Sequence, residues 1–140
     1  MSKTVPLGKG SNGPAKIDVE RLIGGRMLVQ ASSGYGKSWA LRRILEQTHG
    51  LAQQIVIDPE GEFYTLRERF DYVLAGKGGD CPAEPRAAKL LARRLLELGV
   101  SAILDLSELS GQDKRRFVSH FLGSMISAPR ALWHPALVLV

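Results

Sequence analysis

At 140 residues with 44% apolar side chains, the chain is long enough to bury one core of ordinary size. No run approaches the roughly 18 consecutive apolar residues of a membrane span, and the polar start Met1-Ser2-Lys3-Thr4 lacks the apolar stretch of a secretory signal, so a cytoplasmic protein is expected. The formal charge of +5 admits a polyanionic partner, while the single Cys81 excludes an internal disulfide or a CxxC metal site. His49, His120 and His134 have no metal-ligand spacing.

Residues 1–25 read as a turn-rich opening segment, with Gly8, Gly10, Gly13 and Pro14 marking a hairpin and Ile17 to Ile23 leading to Gly24-Gly25. A partial catalytic core is expected over 26–140. It begins with the short apolar run Arg26-Met27-Leu28-Val29-Gln30-Ala31, predicted as a strand. Leu41, Ile44, Leu45 and Thr48 then recur at helical spacing until Gly50. A second strand, Gln54 to Asp58, breaks at Pro59 and Gly61, and a third is predicted over Asp71 to Leu74. Pro85 suits a first helical turn, Ala88, Leu91, Leu95 and Leu98 make one stripe, and Gly99 ends that helix. A strand over Ser101 to Leu106 follows. Ser110 with Asp113 resembles a capping pair, and Phe117, Phe121 and Met125, flanked by Val118, Leu122 and Ile126, mark the buried face of the last helix. The run Ala136 to Val140 is predicted as a final strand. Apolar strands alternating with helices predict an α/β fold with a mostly parallel sheet and helices on both faces.

The segment Ala31-Ser32-Ser33-Gly34-Tyr35-Gly36-Lys37-Ser38 fits the phosphate-loop pattern [AG]xxxxGK[ST], set between a predicted strand and a predicted helix. Phosphate oxygens must be met by backbone N–H groups at close range, which Gly34 and Gly36 permit, and the helix behind them aims its unpaired N–H groups at the same anion. Lys37 is expected to reach the β and γ phosphates, and the Ser38 hydroxyl to ligate Mg2+. The nucleotide contacts are assigned to Ser33, Gly34, Tyr35, Gly36, Lys37, Ser38 and Trp39. Asp58, Glu60 and Glu62 crowd the turn after the second strand; an acid there would hold a metal-bound water or orient the attacking one. Asp58 is the first choice among them, for metal and for catalysis together with Lys37, against the simpler reading of an acid that caps its own turn. Parallel sheets bind ligands at the carboxyl ends of their strands, where Ala31 and Asp58 both fall, so one shared site is expected.

Together, residues 31–38 and Ile55-Val56-Ile57-Asp58-Pro59-Glu60-Gly61-Glu62-Phe63 resemble the HerA branch of the HerA/FtsK superfamily. In that family a GxTGSGKS loop is followed by a DPxGEY-like segment and then by a Walker B strand ending in Asp-Glu. The resemblance implies a RecA-like P-loop fold, ATP with Mg2+ as ligand, a ring of like subunits, and DNA as the polymer translocated or processed. It gives Lys37 and Ser38 the phosphate and magnesium roles and Asp58 the acidic role. Ala31 departs from the usual first glycine, and the chain stops after Leu137-Val138-Leu139-Val140, where the Asp-Glu would come. A core cut after its Walker B strand is therefore expected, binding nucleotide but hydrolysing it poorly.

Three other readings compete. Asp58-Pro59-Glu60-Gly61 spells the DxxG of small GTPases, but Asn12 is the only asparagine and precedes the loop, so the base-reading NKxD is absent. A small-molecule kinase would use Asp58 as base and needs an arginine-bearing lid. A non-catalytic nucleotide-binding module would need no Walker B acid. The basic groups Arg42-Arg43, Arg93-Arg94 and Lys114-Arg115-Arg116 each fall inside a predicted amphipathic helix, where a solvated face explains them without nucleic acid.

Overall fold

The computed structural model describes residues 3–32 and 34–140. They divide into two compact units, Met1–Ala52 and Gln53–Val140.

In the first unit, β1 (Thr4–Gly10) and β2 (Gly13–Asp18) form an antiparallel hairpin across Ser11-Asn12. The Asp18 carboxylate accepts from the Arg21 N–H at 3.1 Å and so caps the short helix α1 (Val19–Ile23). The predicted strand over 26–31 does not form: residues 26–32 carry no regular structure, and Leu28 is 84% exposed. An apolar run becomes a strand only when a ladder takes up its N–H and C=O groups, and none does so here. Helix α2 (Lys37–Thr48) packs on β1 and buries Ile44, Leu45 and Thr48. Its end comes where expected: the His49 N–H still reaches the Leu45 carbonyl at 3.0 Å, and Gly50 turns the chain away.

The second unit holds a four-stranded sheet in the order β4-β5-β3-β6, parallel throughout: β3 (Gln53–Asp58), β4 (Val73–Ala75), β5 (Ala102–Asp105) and β6 (Ala136–Leu139). The β3 strand is interior and buried at all six positions, the apolar Ile55-Val56-Ile57 together with the polar Gln53, Gln54 and Asp58. β4 starts two residues later than the sequence pattern indicates. Helices α3 (Ala88–Leu98) and α4 (Gly111–Ile126) pack side by side on one face of the sheet, where Ile55, Ile57, Ala102 and Leu104 meet Ala88, Ala92, Leu95, Phe117 and Phe121. The alternate residues Gln54 and Asp58 point to the other face, where the Tyr72 hydroxyl bonds the Gln54 side chain.

The predicted stripe of α3 faces the core at Ala88, Leu91 and Leu95 but not at its end. Ala88, Ala92, Leu95 and Leu96 are buried, whereas Leu98 is 70% exposed. The small, fully buried Ala88 and Ala92 allow close approach, and Leu95 fills the core beside them. In α4, Ser110 caps as expected, accepting from the Asp113 N–H at 3.2 Å. Phe117 and Phe121 are fully buried and stacked with ring centroids 5.8 Å apart, but Ile126 is exposed. Among the described residues no helix is long and apolar enough to cross a membrane.

Candidate functional site

The loop before α2 turns on two glycines. Gly34 has φ 84° and Gly36 φ 85°, the left-handed region that a side chain makes costly, and a Cβ at either would meet nothing within 4 Å. Glycine is therefore required by the backbone turn rather than by crowding. The Tyr35 N–H bonds back to the Ser32 carbonyl at 3.2 Å and tightens the loop. Gly36 is then the N-cap of α2 and supplies no side chain, and the first helical turn contains no acid. A helix start without a capping oxygen or a nearby carboxylate keeps its positive end for an outside anion. Lys37 is exposed at the first helical position and Ser38 half-buried beside it. Tyr35 and Trp39 stand out at 80% and 75% exposure. Of the residues assigned to nucleotide, Ser33 lies outside those the structure describes.

In the second unit, Asp58 ends β3 at 1% exposure. Its Oδ1 accepts from the Gly61 and Glu62 N–H groups at 2.9 and 3.0 Å, and its Oδ2 from Phe63 at 2.9 Å. The carboxylate thus shapes the turn that displays Glu60 and Glu62 to solvent. Three of its roughly four acceptor positions are spent on backbone.

Asp105 stands directly beside Asp58 in the parallel register, at the same carboxyl edge. Its Oδ1 accepts from the Ser107 N–H at 2.9 Å and the Ser107 hydroxyl at 2.6 Å. Gly61, at φ 72°, packs over this pair, since a Cβ there would lie 3.2 Å from Ser107 Oγ and 3.3 Å from both Asp105 carboxylate oxygens. Neither Asp105 nor Ser107 is among the site residues expected from sequence. A signal for them exists: Ala102-Ile103-Leu104-Asp105 repeats the pattern of Ile55-Val56-Ile57-Asp58, an apolar strand ending in aspartate.

Nearby, the Leu74 N–H donated to Asp80 holds that carboxyl below its usual range, and Arg67 at 3.2 Å adds to the effect. Partial burial pushes the Cys81 thiol up, and the negative Asp80 beside it pushes the same way. Among the described residues no group of three or more His, Cys, Asp or Glu is placed to hold a metal ion.

A parallel sheet with helices packed on it makes the chain an α/β protein. Residues 5–79, more than half of the sequence, match the family described as the central domain of the helicase HerA, and the chain belongs to that family. The matched stretch contains both the 31–38 loop and the 58–63 turn. No curated protein and no solved structure gives a match.

Proposed function

We propose that the chain binds ATP with magnesium through residues 31–38 and serves as part of a HerA-type ATPase, a ring of like subunits that couples hydrolysis to the translocation or processing of DNA. The observation that carries this reading is the start of α2: two left-handed glycines, a helix N-terminus with neither capping side chain nor acid, and Lys37 exposed at its first position. Such a terminus favours a bound phosphate. In this reading the backbone N–H groups of Gly34 to Ser38 cradle the phosphates, Lys37 pairs with the β and γ groups, and the Ser38 hydroxyl faces the magnesium. The bound ion would neutralise charge on the transferring phosphoryl group. The acidic role given to Asp58 rests on the family likeness; within the chain its carboxylate sets the 58–63 turn.

The test is a titration of a fluorescent ATP analogue with Mg2+ against the wild type and Lys37→Ala. Losing a charge-assisted hydrogen bond to phosphate is expected to weaken binding by about 10- to 100-fold. Trp39 emission provides a second signal from the same turn. Equal affinity in the two proteins would refute the loop assignment, and tighter binding of GTP than of ATP would refute the base preference. Hydrolysis stimulated by added DNA in the oligomer, without a phosphoryl acceptor, separates a motor from a kinase.

A further inference from the structure

Trp39 is the third residue of α2 and stands 75% exposed. It lies about 120 to 180° around the helix from Ile44, Leu45 and Thr48, the buried positions, so the core face of α2 does not account for it. The chain's other tryptophan is tied down: the Trp133 Nε1–H donates to the Ala128 carbonyl at 3.0 Å, and the Arg130 guanidinium lies 5.9 Å from its ring centroid. An indole face left in water forgoes the large burial that this side chain offers, and a planar, apolar ligand would recover it.

The backbone says where such a ligand would lie. The Ala40 N–H is the first in α2 to reach an acceptor inside the helix, the Gly36 carbonyl at 3.0 Å. The Trp39 N–H is therefore the last of the donors that the helix itself leaves open at its positive end. With Lys37 given to the β and γ phosphates and Ser38 to the magnesium, that N–H falls to the phosphate next to the ribose; this step rests on the nucleotide reading of residues 31–38. Cα–Cβ bonds in a helix tilt toward its N-terminus. The residue that offers its N–H to the anion thus sends its indole back toward the space where ribose and base leave the phosphate chain. Stacking needs only the face of a base, and the chain has no NKxD to read a base edge.

We propose that the Trp39 indole is the base platform of the nucleotide site, stacking on the base of the bound triphosphate and favouring purines, whose ring face is larger, over pyrimidines. The ring serves the base and not the phosphates, so affinity for a nucleotide and affinity for a bare triphosphate part company at this residue.

The experiment is isothermal titration calorimetry with Mg2+, comparing ATP, UTP and inorganic tripolyphosphate on the wild type, Trp39→Ala and Trp39→Phe. Trp39→Ala is expected to weaken ATP binding roughly 5- to 100-fold and to shrink the preference for ATP over UTP, while tripolyphosphate stays within about twofold. Trp39→Phe should keep most of the ATP affinity. Because the indole is exposed, both variants should unfold at the wild-type temperature. In Trp133→Phe, where Trp39 is the only tryptophan left, saturating ATP should quench emission and saturating tripolyphosphate should not. The proposal is overturned by unchanged ATP affinity in Trp39→Ala, by equal loss of ATP and tripolyphosphate in that variant, or by equal quenching with the two ligands. Tripolyphosphate binding with no advantage for ATP refutes the stacking and leaves the loop assignment standing, whereas a wild type that binds neither ligand refutes the loop assignment and the stacking with it.

Discussion

Replacing Asp58 by alanine deprives three amides, those of Gly61, Glu62 and Phe63, of their acceptor at once. The Phe63 bond is buried and the other two partly so, which limits how well water can stand in. The expected cost is about 2–4 kcal/mol. Asp58→Asn keeps one oxygen but turns an N–H2 group toward one of the donors, for about 1–2 kcal/mol. Urea denaturation of the two variants checks both values. If Asp58→Asn unfolds like the wild type, the negative charge is not what holds the turn and is left to serve a ligand. The sequence shows that an acid after a buried strand matters, because aspartate seldom sits there without partners. It does not show the direction of the side chain. That depends on Gly61 adopting φ 72° and bringing the amides back over the carboxylate, a turn geometry that the pattern of letters leaves open.

At the scale of elements, α3 and α4 show where patterns of apolar residues succeed and where they mislead. Phe117 and Phe121 recur at helical spacing and are the fully buried pair of α4. Phe117→Ala is expected to cost about 3–5 kcal/mol, since a large ring is removed from a close-packed layer. Leu98→Ala is expected to cost less than about 0.5 kcal/mol, its side chain being 70% exposed. Thermal or denaturant unfolding of the two proteins would expose a wrong face assignment if Leu98→Ala proved as costly as Phe117→Ala. The stripe expected for α3 holds at Ala88, Leu91 and Leu95 and departs at Leu98, in the last turn before Gly99, where the side chain is left uncovered. Spacing gives the face of a helix, whereas how far along the helix that face stays covered is a property of the assembled layer. The run over 26–31 fails for a related reason: its apolar character is local, but a strand needs a ladder, which is supplied from elsewhere in the chain.

For the molecule as a whole, the two compact units differ in what holds them. The unit Gln53–Val140 contains all four strands of the parallel sheet and the stacked phenylalanines, whereas the loop and helix start proposed to bind nucleotide lie in Met1–Ala52 beside an exposed segment without regular structure. Local stability follows buried apolar contacts and shielded backbone bonds. Amide hydrogen exchange of the nucleotide-free chain should therefore be slowest in β3, β5 and around Phe117 to Phe121, and close to unprotected over 26–32. ATP with Mg2+ should slow exchange over 34–40, where the backbone N–H groups would take phosphate oxygens, and should stabilise the chain in proportion to the logarithm of ligand concentration. Two outcomes would contradict these expectations. Protection of 26–32 equal to that of β3 before nucleotide is added would mean that the segment pairs in a ladder. A ligand-induced stabilisation that leaves 34–40 unchanged would mean that the nucleotide binds somewhere other than the start of α2.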